Sequence, residues 1–341
     1  MRIGLLTGGG DCPGLNAVIR GVTRRAVDTY KYDVLGIKNG WRGLVIGEVE
    51  PLSVYAVSGI LHRGGTVLGT SRTNPLKNPD DKQKLFDNLK RYSLDALIVV
   101  GGEDTLSVAL HLYREGVKVV GVPKTIDNDI MGTDFTFGFN TAVSVVADAI
   151  DRLHTTAESH HRIMVVEVMG RESGWIAVMA GIAGGADAIL IPEVPFDYDD
   201  LCAKLKKRHQ HKSFSIVVVA EGAAPKGGQP VTQSDRRDAF GHVVLGGVGR
   251  VVADEIEARA GIETRLTVLG HIQRGGSPTA YDRILATRFG VKAVDTVHKG
   301  EFGKMVALRS ENIITINLEE AVLKNKKVDM ELYEIAEVFF G

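Results

Sequence analysis

Six short runs of the chain are apolar almost without interruption, and each gives way to a loop rich in glycine and charge. Strands are predicted at "RIGLLT" (2–7), "DALIVV" (95–100), "VKVVGV" (117–122), "RIMVVEV" (162–168), "SIVVVA" (215–220) and, shorter, "LTVLG" (266–270). Runs of this kind, without polar alternation, belong to strands buried on both faces of a parallel sheet. Between them the period changes from two to about 3.6. In "NTAVSVVADAIDRLHTTAESHH" (140–161), Val143, Val146, Ile150, Leu153 and Ala157 recur at three- and four-residue spacing and predict one amphipathic helix. Alternating strand and helix predicts an α/β fold.

The loops after the strands carry the chemistry. In order they read "GGGDCPGLN", "GGEDT", "PKTIDND", "MGRESG", "EGAAPKG" and "HIQRGGSP". In open α/β sheets ligands bind beyond the carboxyl ends of the strands, so these loops predict one composite pocket. At 341 residues the chain is long enough for two domains, and its 40 glycines fit loops that approach a ligand closely. Lys and Arg (41) balance Asp and Glu (42), which leaves no basic field for nucleic acid or an anionic membrane. Two cysteines argue against a disulfide framework and for a reducing compartment. The apolar start "MRIGLLTGGGD" is too short for a signal peptide, and no run reaches the ~20 apolar residues of a membrane helix, so a cytoplasmic protein is expected.

"TGGGDCPGLNAVIRG" (7–21) leads into a helix predicted near Leu15, where backbone N–H groups would hold an anion; a plain strand-to-helix turn is the alternative. Pro13 stands where a dinucleotide fingerprint needs its third glycine, and no GxxxxGK[ST] occurs. The partial motif "GGVGRVV" (246–252) carries little weight, and "KLKKRHQHK" (204–212) reads as a solvated helix end. In "PKTIDNDI" (123–130), Asp127 and Asp129 suit a general base or a hard cation such as Mg²⁺, with an Asx-turn as the alternative. Arg72, Arg162, Arg171, Arg265 and Arg274 lie near strand ends, where Arg forks bind phosphate. His271 could donate to a sugar hydroxyl or a phosphate. These features alone point to Mg²⁺-dependent phosphoryl transfer on an anionic substrate.

Together the segments "GGDCPGLNAVIRG", "GGTVLGTSR", "GGEDT", "PKTIDND", "HRIMVVEVMGRESGW", "ILIPE" and "ETRLTVLGHIQRGGSPTAYDR" resemble the 6-phosphofructokinase family, in its order, from residue 3 to about 290. The resemblance implies two three-layer α/β/α Rossmann-like domains with mostly parallel sheets and an active site in the interdomain cleft. The donor domain would be 1–138 plus about 251–300, and the fructose 6-phosphate domain 139–250 plus about 301–341. It implies Asp127 as the base on the C1 hydroxyl of fructose 6-phosphate, with Thr125 and Asp129 beside it. Glu103 and Asp129 would hold Mg²⁺. Gly10, Arg72, Gly102, Asp104, Lys124 and Arg171 would meet the phosphoryl donor. Met169, Gly170, Glu221, His271 and Arg274 match the sugar-phosphate site, and Arg162 and Arg265 match positions that reach a neighbouring subunit's site in a homo-oligomer.

Within the resemblance, Asp104 and Lys124 speak about the donor. ATP-dependent members usually carry Gly at both positions, and a carboxylate at 104 would fill and repel the path of an α-phosphate. Members with Asp and Lys use pyrophosphate; Lys124 would neutralise Asp104 and stabilise the departing phosphate. Glu103 stands where the family commonly has Asp. His154 replaces the Arg that allosteric bacterial ATP enzymes use, which argues against that mode of effector control. The expected activity is reversible, pyrophosphate-dependent phosphorylation of fructose 6-phosphate. Alternatives are an ATP-dependent 6-phosphofructokinase, a non-catalytic sugar-phosphate sensor and, against "GHIQRGG" and "MGRESGW", a lipid or NAD kinase.

Overall fold

The computed structural model describes residues 1–237, 240–241 and 243–340. Its strands, in chain order, are β1 (Arg2–Thr7), β2 (Asp33–Ile37), β3 (Val49–Pro51), β4 (Ala96–Gly101), β5 (Val119–Thr125), β6 (Phe137–Gly138) and β7 (Ile163–Val168). There follow β8 (Ala188–Leu190), β9 (Ser215–Ala220), β10 (Thr232–Arg237), β11 (Val243–Leu245), β12 (Thr264–Val268), β13 (Lys304–Arg309) and β14 (Asn312–Asn317). The first sheet runs β14-β13-β5-β4-β1-β2-β3, with β6 beside β5; the second runs β12-β7-β9-β8 and is parallel throughout. In the first, only the edge strands β3 and β14 are antiparallel to their neighbours.

Alternation along the central strands shows why their sequences are apolar at every position. Ile98 and Val100 of β4 enter one core while Leu97 and Val99 enter another on the opposite face. In the second sheet, Met164, Val166 and Val168 of β7 face that first core, and Ile163 and Val165 face a third. One core therefore lies between the two sheets, holding Leu5, Val18, Phe289, Ile150 and Val218 together. The central strands β4, β5, β7 and β9 are buried on both faces, as in parallel sheets covered by helices.

The predicted runs 2–7 and 215–220 coincide with β1 and β9, and 95–100 and 162–168 fall within one residue of β4 and β7. β5 starts and ends later than 117–122, because Pro123, Lys124 and Thr125 extend it, and β12 ends before Leu269. The amphipathic helix is Phe139–His160, with Val146, Ile150 and Ala157 buried on its stripe. The basic run is the exposed end of the helix Tyr198–His209.

The sequence division into 1–138 plus 251–300 and 139–250 plus 301–341 is corrected by strand pairing. Lys304 and Met305 of β13 pair with Val120 and Gly121 of β5, so residues 304–317 complete the first sheet. β12 pairs with β7, and the helix Val248–Ala260 lies over both, which places 248–268 with the second sheet. The last helix, Met330–Glu337, returns to the second sheet, where the Tyr333 hydroxyl donates to the Ile189 carbonyl at 3.1 Å.

Two helices are joined by exchanging caps. Asp282, in the first turn of the helix Ala280–His298, is fully buried and accepts from the Thr141 amide (2.8 Å) and hydroxyl (2.6 Å) at the start of Phe139–His160. Thr141 returns the contact by accepting from the Thr279 amide at 3.0 Å. Ala280–His298 packs on the helix Leu15–Arg24 of the first sheet, whereas Phe139–His160 packs on the second sheet, so this double cap locks the two halves in register. Replacing Asp282 with Ala leaves a buried amide and hydroxyl without an acceptor and should cost about 2–4 kcal/mol. Urea unfolding would measure it, with Asp282→Asn expected to lose less; an Asp282→Ala midpoint equal to wild type would remove the cap from this role.

Candidate active site

The carboxyl ends of β1, β4 and β5 open toward those of β7 and β9. A cavity of about 150 Å³ at this junction is lined from the first sheet by Gly9, Gly10, Arg72, Gly102, Glu103, Asp104, Thr105, Lys124, Thr125, Asp127 and Asp129. Arg171, Glu172 and Arg274, from the segments after β7 and β12, complete the lining together with Phe240 and Asn325. Nine of the expected first-sheet residues thus meet in one place, which the sequence reading required of Gly10, Arg72, Gly102, Glu103, Asp104, Lys124, Thr125, Asp127 and Asp129.

Glu103 and Asp104 occupy the first turn of the helix Glu103–Arg114, which starts directly from β4. Acidic side chains there complement the positive end of the helix dipole, so their local energetics are favourable although they face an anion site. Lys124, at the end of β5, is 3% exposed and its ammonium donates to the Gly10 carbonyl. Burial pulls its pKa below the ordinary lysine range, with the charge on Arg274 acting the same way and Asp11 and Asp127 opposing. Gly10 leaves room for Arg274: a Cβ there would stand 2.6 Å from the guanidinium, which reaches over to the Asp11 carbonyl at 3.2 Å, and would displace it. Arg274, expected at the sugar phosphate, therefore also abuts the donor loop.

The segment "TIDND" is held by its middle residue. Asn128 adopts a left-handed backbone (φ 51°), which Asn tolerates better than most residues. Its buried side chain accepts from the Thr136 amide (3.1 Å) and donates to the Asp134 carbonyl (3.3 Å). Asp127 and Asp129, on either side, are thereby left to face the cavity. The Thr125 hydroxyl accepts from the Asp127 amide at 3.0 Å and lies 3.4 Å from its carboxylate. Burial, then the Asp127 and Glu103 carboxylates, push the Asp129 carboxyl upward.

The second half of the site is built on β7 and β9. Gly170 (φ 140°) has no room for a Cβ, which would come within 2.7 Å of the Ser173 carbonyl. The Met169 amide donates to fully buried Gln273 at 3.2 Å, and the Glu221 amide to the Val168 carbonyl at 2.9 Å. The Glu221 carboxyl is pushed up to about 7 by burial and then by Asp127, with Arg171 pulling it down, so it faces the same charges as the cavity.

Met169, Gly170 and Glu221 do not line the cavity itself, and three further expected residues lie apart from it within one chain. Arg162 immediately precedes β7, roughly 20 Å of strand from its carboxyl end, and Arg265 is the second residue of β12, roughly 10 Å from its end; both pair with Glu263. His271 is exposed on the short helix Gly270–Arg274, outside the cavity. His154 has a structural setting, its Nε2 2.7 Å from the Gly184 carbonyl and its ring edge-on to Phe214.

The sequence reading missed Gln273, Glu172, Phe240 and a strap formed by residues 325–328. The Asn325 amide donates to the Glu172 carboxylate at 2.6 Å, and the Lys326 amide donates to the Asp129 carbonyl at 2.7 Å. The Lys326 ammonium holds the Thr133 and Asp134 carbonyls at 2.9 and 2.8 Å. Nothing in "NKKV" marks this role, since it arises only where the chain returns from β14. Gln273 was within reach, being inside the quoted "GHIQRGG".

Among the described residues, no group of three His, Cys, Asp or Glu side chains is placed to enclose a metal ion. Mg²⁺ needs only one or two carboxylates and completes its shell with water and substrate phosphate oxygens; Glu103 and Asp129 both line the cavity. The upward push on Asp129 by its acidic neighbours is the electrostatic signature of a place where a dication would be favourable. No described helix is long and apolar enough to cross a membrane.

Comparison with known proteins identifies the family. The model of the family described as "Phosphofructokinase" matches residues 2–297. A Streptomyces coelicolor protein named pyrophosphate–fructose 6-phosphate 1-phosphotransferase is 58% identical, over 100% of both chains. A Corynebacterium efficiens protein named ATP-dependent 6-phosphofructokinase is 53% identical, over 100% of this chain and 99% of its own. The crystal structure of Pichia pastoris phosphofructokinase in the T-state superposes with a TM-score of 0.84 at 33% identity, covering 99% of this chain and 36% of that one. With a family match over most of its length and full-length relatives above half identity, the chain belongs to the phosphofructokinase family.

Proposed function

We propose that this enzyme transfers a phosphoryl group reversibly from pyrophosphate to the C1 hydroxyl of fructose 6-phosphate, giving fructose 1,6-bisphosphate and phosphate. The observation that carries the donor assignment is Asp104 in the wall of the donor cavity, with buried Lys124 lining the same space.

In this reading Asp127 takes the C1 hydroxyl proton as the C1 oxygen attacks the near phosphorus. The bridging P–O bond breaks, and its electrons leave with phosphate. Thr125 orients Asp127 from below. Lys124, Arg72 and Arg171 face the oxygens on which negative charge collects. An anionic donor raises the pKa of Lys124 against the effect of burial, so donor binding and protonation of Lys124 are coupled. Glu103 and Asp129 would hold Mg²⁺, which supplies neutralisation of donor phosphate charge. Met169, Gly170, Glu221, His271 and Arg274 are assigned to fructose 6-phosphate. Arg162 and Arg265, too far from the cavity of their own chain, are assigned to that of a neighbour in a homo-oligomer. The reaction is assigned to the cytoplasm.

The donor test is fructose 1,6-bisphosphate formation with Mg²⁺ and either pyrophosphate or ATP. Turnover with pyrophosphate alone is expected; turnover with ATP alone would overturn the donor assignment and leave the sugar site standing. The double variant Asp104→Gly with Lys124→Gly should gain ATP turnover, and its complete refusal of ATP would show that other residues close the nucleotide path.

For the base, Asp127→Ser should lower kcat by about 10²–10⁴ with the KM for fructose 6-phosphate within about threefold of wild type. An unchanged kcat would take Asp127 out of the base role.

Glu221 gives a pH test. Its folded pKa of about 7 lies above the unfolded value near 4.5, so the folded state holds the proton more tightly. Its ionisation therefore costs stability progressively from about pH 4.5 to 7, and the cost is fully present above 7. Glu221→Gln should unfold at a higher temperature than wild type at pH 8, by on the order of 2 kcal/mol at most, and lose that advantage near pH 4.5. Equal melting temperatures at both pH values would mean that Glu221 is solvated.

A further inference from the structure

We propose that Phe240, in the turn between β10 and β11, is a specificity-determining residue that acts with Asp104 to limit the phosphoryl donor to a short polyanion. The proposal rests on the pyrophosphate reading above and names a residue that the reading did not use.

Two cavities meet at the start of the helix Glu103–Arg114. One is the donor cavity. The other is a groove of about 290 Å³ whose lining includes Leu76, Asp104, Ser107, Val108, His111 and Phe240. Among the described residues, Asp104 and Phe240 are the two that line both. Asp104, Ser107, Val108 and His111 are three and four residues apart, so the groove follows one face of the helix away from its amino end. A donor held at that amino end and continuing past two phosphates enters the groove between Asp104 and Phe240.

The groove's lining suits a nucleoside. Leu76, Val108 and Leu110 offer apolar contact to a base, and Ser107 and His111 offer polar contact to a sugar. The chain therefore keeps a place next to its donor cavity where a nucleoside would fit, with a carboxylate and a phenyl ring standing at the entrance. The two act by different physics. Asp104 repels a phosphate, an effect that salt and Mg²⁺ weaken. Phe240 packs against the apolar cluster that contains Val108 and Leu110, and excludes by volume whatever the charge. It comes from the segment between β9 and the helix Val248–Ala260, far in sequence from the helix it packs against.

The test is ADP binding by isothermal titration to the full-length enzyme with Mg²⁺, for wild type, Phe240→Ala, Phe240→Leu, Asp104→Gly and the Asp104→Gly/Phe240→Ala double variant. Phe240→Ala should tighten ADP binding at least tenfold, Phe240→Leu less, and the double variant more than either single change. Raising the salt concentration should improve ADP binding to wild type less than removing the ring does. ADP binding unchanged in Phe240→Ala, and no tighter in the double variant than in Asp104→Gly, would overturn the proposal. Phe240→Leu keeps an apolar side chain on the cluster and decides the matter if the alanine variant does not fold: binding equal to wild type in Phe240→Leu, together with an unfolded alanine variant, also counts against the wall. Failure of the donor reading shows separately, as absent pyrophosphate turnover in wild type.

Discussion

Lys124 sits at the end of a central strand with its ammonium on the Gly10 carbonyl and almost no exposure. Taking an ammonium out of water costs several kcal/mol, and one carbonyl does not offset that. The nearby charges of Asp11 and Asp127 do part of it, and Arg274 works against them. An anion arriving in the cavity is therefore the partner that the arrangement favours. The position also fixes geometry, because the same strand carries Thr125 and leads into Asp127 and Asp129. A single buried cation thus ties the glycine loop after β1 to the acidic loop after β5.

Holding that charge pattern requires rigid surroundings. The loop that carries Asp127 and Asp129 is braced from three directions: by Asn128 from within, by Thr136 donating its hydroxyl to the Thr125 carbonyl at 2.8 Å, and by the Lys326 amide on the Asp129 carbonyl. The last of these comes from the far end of the chain, and its segment also reaches Glu172 through Asn325. The Asp282–Thr141 cap, remote from the cavity, sets the distance between the helices on which the two sheets rest. Carboxylates held this close repel one another and would spread apart in a softer frame.

The sequence disclosed what is local or strongly periodic. Buried parallel strands announce themselves by unbroken apolar runs, and β1, β4, β7 and β9 were legible within a residue. The loops that follow them were legible for the same reason, since each begins where a run ends. β2, β8, β13 and β14 were not read, and pairing between β13 and β5 joins positions more than 180 residues apart, which no local pattern reports. The domain division failed on that pairing. Most glycine, acidic and basic loop residues that line the cavity were singled out in the sequence, Glu172 excepted; Asn325 and Lys326 lie in a short polar stretch with no period or motif. Phe240 gave no signal either, because its meaning depends on which helix it faces.

Donor choice on this scaffold is a small problem set within a large one. The sheets, the double cap and the braced acidic loop serve any phosphoryl donor equally, because all of them act on the near phosphate and the sugar. What distinguishes a diphosphate from a nucleotide lies beyond the second phosphorus, along the face of the helix Glu103–Arg114. Two side chains stand there, one charged and one apolar. Charge alone would be a weak filter, since salt and any cation carried by the donor would screen Asp104. Volume is indifferent to ions. A filter that must hold while the metal comes and goes is better made of both, and the pairing of Asp104 with Phe240 at the junction of the two cavities has that form.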